Sequence, residues 1–540
     1  MDKFKILLLY LNNEIVFEEL GVAYIASYMQ DKGYSVKEMV YCKKDDELDE
    51  CIKEIIDYKP DIIGINVYNH NKLEVFDICR ILKKQIPDIY ICAGGAEASS
   101  QKETLLYDEK TIDFSIVGEG EKAFYDLVKR LEASESITDV AGLIYRESGN
   151  IKINNRLKIT DNLDDIPNPS RFVLSSRNLK VASVLTSRGC NGNCSFCMTP
   201  HMWNVGGVKW RGRTETLAID EVESIRKEYN ISNFYFFDCS FEDPNILRME
   251  KLADELIKRN LNIFYTVDIR ASLYKKCNDN LIYKLQKSGL FSVFLGLEAG
   301  NQNDLKLYNK GVTVADNLNS LQYFNEHGII THFGFINFNP YSTFERLYEN
   351  SQFLNKSMDY TLTNLMGYSS YLKAYKGIAL YEKIRNDRLL KEGIDGIFDY
   401  NFTDKRVEAL AVYCYLHMPE IIDKYKVVFH DFADMYLRGL KLLERHIRMG
   451  NADEKLLPLI TETQDFTRNE LKTFFIENNS FDLLLDLAVQ GWSNAKADNI
   501  LADTFSDIKM AALIKKLIGQ KNKLFRYLIK HDDKIINLIS

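Results

Sequence analysis

The sequence predicts an α/β protein: two successive domains of alternating strands and helices, then an all-helical C-terminal domain. Three observations carry that expectation. Short apolar, β-branched runs alternate with amphipathic segments in residues 1–133, and again from Val181 onward. A polar, turn-rich stretch between them holds two of the nine prolines, Pro167 and Pro169, and marks a boundary. After about residue 390 the strand pattern stops and apolar residues recur at helical spacing. The expected units are 1–140, a linker over 141–180, 181–390 and a helical 391–540.

In the first unit the strands are KFKILLLYL, YSVKEMVYC, DIIGINVY, IYICAGG and DFSIVGEG. Helical stretches such as VFEELGVAYIASYMQDKG, DELDECIKEIIDYKP and NKLEVFDICRILKKQIP lie between them. Strands apolar on both faces and separated by helices imply a parallel sheet covered on both sides, a flavodoxin-like or Rossmann-like arrangement. Ligands of such sheets bind at the carboxyl ends of the strands. Three ends are notable: Tyr68-Asn69-His70-Asn71, Gly94-Gly95-Ala96-Glu97 and Gly118-Glu119-Gly120-Glu121. Their glycines let a flat or phosphate-bearing ligand approach the backbone, although tight turns also serve packing alone. GLIYRESGNIKINNR reads as a small hairpin in the linker.

In the second unit VASVLTS, NFYFFD, NIFYTVD, FSVFLGLE and IITHFGFINF are strands. They imply a full or partial βα barrel with its chemistry at the strand carboxyl ends. The aromatic and leucine residues of 405–450 read as core of the helical unit.

Composition narrows the function classes. The 540 residues carry a net charge of −8 with no basic block, which argues against a nucleic-acid surface. Aromatic content of 12% excludes a disordered chain. The apolar start, Ile6 to Leu11, is too short for a secretory signal. No run approaches the ~18 apolar residues of a membrane span. A cytoplasmic protein is expected, in which ten cysteines do not imply disulfides.

Seven of those cysteines are scattered, but Cys190, Cys194 and Cys197 fall within eight residues, spaced by Gly and Asn. Three close thiolates suit iron–sulfur or zinc. Zinc would want a fourth ligand, for which His201 is the nearby candidate. The form Cys-x3-Cys-x-aromatic-Cys, with Phe196 as the aromatic residue, just after the first strand of a βα domain, resembles the radical S-adenosylmethionine (radical SAM) superfamily. That resemblance implies that Cys190, Cys194 and Cys197 hold three irons of a [4Fe–4S] cluster. The fourth iron is left to chelate S-adenosylmethionine, whose reductive cleavage releases a 5′-deoxyadenosyl radical. Trp210-Arg211-Gly212-Arg213, Phe236-Phe237-Asp238-Cys239-Ser240-Phe241, Val267-Asp268-Ile269-Arg270 and Gly296-Leu297-Glu298-Ala299-Gly300 extend the similarity. Arg270 and Glu298 are its implied S-adenosylmethionine contacts; a rim ion pair is the plainer reading of the same residues. Residues 334–340, GFINFNP, depart from the Gly-x-Pro-Gly-Glu-Thr-like turn usual in the family. Cys239 reads as a substrate contact or, more simply, as a buried inert thiol.

Joined to such a domain, the order LGVAYIASYMQDKGY, DIIGINVYNHN, ICAGGAEAS, DFSIVGEGEKAF resembles the cobalamin-binding domain of cobalamin-dependent radical SAM enzymes. The resemblance covers about residues 1–390. It implies a cobalamin held by Tyr68, Asn69, Gly94, Gly95, Glu97, Gly118, Glu119 and Gly120. The Asp-x-His-x-x-Gly motif of many carriers is missing, since Leu11 to Phe17 contains no His. A cobalamin without a protein axial ligand is therefore expected, its lower face covered by the Tyr68–Asn71 loop; His70 is otherwise a surface residue. The function expected from the resemblance is radical methylation of an unactivated carbon in a small molecule. The alternatives are a non-methylating ring contraction, cyclisation or oxidation and, more remotely, a non-catalytic regulator. A reductant such as flavodoxin or ferredoxin is the implied partner, the C-terminal helices are expected to close the barrel mouth, and no conventional acid–base pair stands out.

Overall fold

A computed structural model describes residues 4–154, 160, 162–203, 209–362, 365–391, 397–448 and 453–531. The first sheet contains β1 (Ile6–Asn12), β2 (Val36–Cys42), β3 (Ile62–Asn66), β4 (Tyr90–Gly94), β5 (Phe114–Ile116), β6 (Leu143–Glu147) and β7 (Asn150–Ile153). Its order is β2-β1-β3-β4-β5-β6-β7, with β1 to β5 parallel. The order 2-1-3-4-5 is the doubly wound, flavodoxin-like one. Each residue from Ile6 to Leu11 is buried, because helices cover both faces of the central strand.

One boundary differs from the expected one. The hairpin placed in the linker is β6–β7, and β6 pairs antiparallel with β5, so it finishes the first sheet. The exposed carboxyl-side edge of the three-residue β5 needs a partner, and the chain that follows supplies it.

The second sheet holds β8 (Val181–Val184), β11 (Asn233–Phe236), β12 (Phe264–Arg270), β13 (Leu290–Glu298) and β14 (Ile330–Phe335), all parallel, in the order β14-β13-β12-β11-β8. A single parallel bridge, Phe338 to Tyr371, starts a sixth position beside β14. The barrel is thus partial. A short antiparallel ribbon, β9 (Ser187–Gly189) with β10 (Trp210–Gly212), brackets the cysteine loop.

Buried ion pairs lock the two sheets together. Arg188 pairs with Glu121 at 2.5 Å and with Glu119 at 3.4 Å, and Arg211 pairs with Glu119 at 2.5 Å. Arg171 pairs with Glu18 at 2.9 Å, and Arg171 and Arg213 share Glu221. Glu18 also accepts from the Ser183 amide at 2.8 Å, at the start of the barrel. Buried charges are tolerable only when paired and bonded in this way.

The C-terminal part is helical, from Lys405–Lys424 through Asp507–His531, and shares one apolar core with the barrel. It takes two places. In the helix Leu437–Arg448, Arg438 bonds His332 at 2.8 Å, Lys441 bonds Asn325 at 3.2 Å, and Arg445 bonds the Leu290 carbonyl, bracing the amino-terminal foot of β13 and β14. Tyr415 of the helix Lys405–Lys424 instead packs edge-on against Tyr371, beyond the carboxyl end of β14 and near the mouth these helices are expected to close. Among the described residues no helix is long and apolar enough to cross a membrane.

Candidate cofactor sites

A cleft of about 1010 Å³ opens at the carboxyl ends of β1, β3, β4 and β5 and runs down between the sheet and the helices Leu20–Asp31 and Glu121–Ala133. Missing side chains make the space. A Cβ on Gly94 would meet nothing within 4 Å, whereas one on Gly64 would strike Leu8 Cδ2 at 2.6 Å and one on Gly120 would strike Ile25 Cδ1 at 2.8 Å. Gly95 and Gly118 hold φ of +98° and +83°, conformations that side-chain-bearing residues rarely adopt. At its far end the cleft meets the barrel at Leu185, Arg188, Met202 and Trp203. The Arg188 guanidinium lies between the Tyr24 and Trp203 rings, 5.0 and 5.2 Å from their centres.

The expected cofactor residues of this domain separate into two groups. Tyr68, Gly94, Gly95, Gly118, Glu119 and Gly120 line the cleft. Asn69 and Glu97 instead open on a second cavity, between this domain and the sixth-strand position of the barrel. Glu119 carries a structural load as well, bridging Arg188 and Arg211 and accepting from the Thr160 amide at 2.7 Å. Burial works against its charge, but the two guanidiniums outweigh it and hold the carboxyl below its ordinary range. Tyr68 donates to Glu19 at 2.7 Å and stacks on His70, ring centres 5.4 Å apart. His70 is exposed and its Nε2 sits 2.8 Å from Asn12 Oδ1.

The cysteine loop leaves β9 at Gly189, whose φ of +88° and contact with the Lys209 carbonyl admit no side chain. Backbone bonds then pin it: Cys190 N to Lys209 O at 2.9 Å, Ser195 N to Tyr308 O at 2.9 Å, and Leu380 N to Ser195 O at 2.9 Å. Phe196 packs edge-on against the buried Tyr308, ring centres 5.5 Å apart. The Gly192 amide reaches Cys190 Sγ at 3.2 Å and the Thr199 amide reaches Cys197 Sγ at 3.4 Å. Among the described residues no three His, Cys, Asp or Glu side chains converge as a single ion would require. In a multi-iron cluster each thiolate binds its own iron, so convergence on one point is not needed. The side chain of His201, the candidate zinc ligand, lies outside the described residues.

Arg270 lies against Gly192, where a Cβ would collide with its guanidinium, and donates to the Lys310 carbonyl at 3.1 Å. Glu298 pairs with Lys310 at 3.0 Å, not with Arg270. It occupies a bulge in β13 with φ of +70°, a strained conformation that turns its side chain toward the barrel axis. Glycines make room for this pair: a Cβ on Gly296 would stand 2.6 Å from Lys310 Nζ, and one on Gly334 would stand 3.2 Å from Glu298 Oε2. Glu242, absent from the sequence reading, accepts from the Arg270 amide at 3.1 Å, while its Oε2 is buried without a hydrogen-bond partner. Burial pushes its carboxyl up to about 7. Cys239 is exposed rather than buried. Asp238 serves the scaffold, accepting from Thr186 Oγ1 at 2.7 Å and from the Ser187 amide at 2.5 Å. The unusual GFINFNP segment is a buried polar hub, in which Asn339 donates to Tyr308 Oη at 2.9 Å and Asn337 donates to the Tyr368 carbonyl at 2.8 Å.

Charge pairing across 50 to 150 residues is what sequence reasoning missed. Glu121 and Arg211 stand within the quoted motifs and Arg188 and Lys310 outside them, yet nothing in local spacing joins Arg188 to Glu121, 67 residues away.

Comparison with known proteins places both halves. Residues 11–128 match the B12 binding domain and residues 184–354 the Radical SAM superfamily. An uncharacterised methyltransferase of Pyrococcus horikoshii is 26% identical over 439 residues, covering 78% of this chain and 93% of that protein. The anaerobic magnesium-protoporphyrin IX monomethyl ester cyclase of Rubrivivax gelatinosus is 28% identical over 328 residues, 58% of each protein. The solved structure of OxsB, a cobalamin-dependent S-adenosylmethionine radical enzyme with aqua-cobalamin and S-adenosylmethionine bound, superposes with a TM-score of 0.66 at 20% identity. That match covers 99% of this chain and 81% of OxsB. The chain therefore joins a domain matching the B12-binding family to a domain matching the Radical SAM superfamily.

Proposed function

We propose that the protein methylates an unactivated carbon of a small molecule, using a [4Fe–4S] cluster, S-adenosylmethionine and cobalamin. The observation that carries this reading is the run of the cleft: it starts at the glycine ends of the first sheet and finishes at Arg188, two residues before Cys190. When bound, the cluster supplies the electron that opens the sulfonium carbon–sulfur bond, and cobalamin supplies a methyl carrier.

The residues present fit those groups. Three thiols on one pinned loop, two of them accepting backbone amides, suit a cluster left open at one iron. The cations of Arg270 and Lys310 stand beside the cysteine loop, where a negatively charged cluster would sit. The orphaned Glu242 Oε2 and the Glu298 carboxylate offer acceptors to an amino group at the mouth. The glycine-floored cleft suits an apolar tail beneath a flat polar body, with Tyr68 at its rim. His70 is exposed, bonded to Asn12, and does not line the cleft that would hold the cobalamin.

The cobalamin domain is assigned to residues 1–140 with the added hairpin, and the radical domain to 181–390. Flavodoxin or ferredoxin in the cytoplasm is the proposed reductant. A non-methylating radical reaction is the second reading, favoured by the similarity to the cyclase. Incubation with S-adenosylmethionine carrying a labelled methyl group separates the two. Label in the product supports methylation; an altered, unlabelled product supports the second reading.

A further inference from the structure

Building on that proposed function, we infer that the second interdomain cavity is the substrate chamber, and that it takes a small molecule combining a ring with a phosphate or carboxylate group. The position comes first. One wall is Asn69, Lys72 and Glu97 of the cobalamin domain; the other begins at Tyr371, which is bridged to Phe338 just beyond the carboxyl end of β14. In a βα barrel that end faces the chemistry. The wall segment continues to Leu380, whose amide bonds Ser195 between Cys194 and Cys197. The chamber thus touches both cofactor domains, and its wall segment runs on to the cysteine loop. Its cavity volume of about 560 Å³ falls within the roughly 300–1,000 Å³ of small-molecule clefts.

Its charge comes second. Four lysines line it, Lys72, Lys373, Lys376 and Lys391, against two carboxylates, Glu97 and Asp399. Lys72 is 3.2 Å from Asp108 and 3.8 Å from Glu97, and Lys391 is 3.2 Å from Glu408. Lys376 reaches only the Thr104 hydroxyl, and Lys373 sits 4.6 Å from the centre of the Tyr371 ring. Among the described residues neither has a carboxylate within ion-pair distance. Burial holds the Glu97 carboxyl above its ordinary range. Cations left without a carboxylate partner among the described residues, between low-dielectric walls, would concentrate anions.

Its aromatic surface comes third. Tyr415 lines the same space and is 37% exposed, held edge-on to Tyr371 at 5.4 Å. An exposed phenol ring in the same cavity as ammonium groups that lack a carboxylate partner among the described residues suits a ring bearing an anionic arm.

Calorimetric titration of the anaerobically reconstituted holoenzyme tests this, with phenyl phosphate, benzoate, inorganic phosphate and phenol as probes. One ring-bearing anion should bind about tenfold or more tighter than inorganic phosphate and phenol. Phenyl phosphate ahead of benzoate assigns a phosphate, and the reverse order a carboxylate. Binding should weaken with salt, fall about tenfold in Lys373→Met, and lose its preference for a ring in Tyr415→Leu. Phenol binding as tightly as the anions, no binding at ~10 mM, or unchanged affinity in both Lys373→Met and Lys376→Met overturns the assignment. Production of 5′-deoxyadenosine by the same preparation separates the two layers. Holoenzyme that cleaves S-adenosylmethionine yet binds no anion refutes the chamber alone, whereas holoenzyme that leaves it intact refutes the underlying function.

Discussion

The cleft of the first sheet and the mouth of the second are built by opposite means, though both sit at the carboxyl ends of parallel strands. The cleft is made by omission: Gly64, Gly94 and Gly120 withhold side chains, and what remains is largely apolar. The mouth is made by charge: Arg270, Lys310, Glu298 and Glu242 crowd around three thiols, and glycines there serve to admit those side chains. A large cofactor recognised mainly by shape needs room, while a small sulfonium cosubstrate needs oriented charges. The buried Arg–Glu lattice between them holds one against the other.

Breaking that lattice has the largest expected effect. Glu119→Gln leaves Arg188 and Arg211 short of a counter-charge in a buried site, at a cost of about 3–5 kcal/mol measurable by denaturant unfolding. A shift under 1 kcal/mol, roughly the value of a surface pair, would show that the lattice is dispensable.

Filling the cleft sharpens the contrast between omission and charge. Because a Cβ on Gly94 meets no atom, Gly94→Leu should leave the melting temperature nearly unchanged yet weaken cobalamin binding about 100-fold in a spectroscopic titration. Retained affinity would place cobalamin elsewhere.

Acid probes the same junction. The Glu119 carboxyl is held below its ordinary value, so its contribution is complete above the unfolded-state pKa of about 4.3 and is lost as pH falls through the lower folded value. Stability of the cofactor-free protein should therefore drop as pH falls below about 4.3, by about 1.4 kcal/mol for each unit of depression, and less steeply in Glu119→Gln. Parallel acid limbs in the two proteins would contradict this. A smaller effect, about 1 kcal/mol, is expected from Tyr68→Phe, which removes the bond to Glu19 at the cleft rim.

Much of this was legible in the sequence. Strand positions followed from β-branched runs because parallel strands covered on both faces must be apolar throughout. The glycine turns at 94–95 and 118–120 were legible for the same reason that they matter: φ above zero and absent side chains leave a mark in composition. The Cys190–Cys197 spacing pointed to its chemistry directly. The hairpin at 143–153 was legible as a hairpin but not as the edge of the first sheet, because pairing partners depend on tertiary position. Glu298 was singled out, yet its partner is Lys310, which lies outside the motif and reaches it through a bulge. Asn69 and Glu97 were grouped with the glycines by proximity in sequence, although each points into the other cavity.

The central claim is that the two domains together carry radical chemistry and not cofactor storage. Protein reconstituted anaerobically with iron, sulfide and cobalamin, then given S-adenosylmethionine and dithionite, should yield 5′-deoxyadenosine, and Cys190→Ala, Cys194→Ala and Cys197→Ala should not. Protein loaded with both iron and cobalamin that leaves S-adenosylmethionine intact would contradict the account.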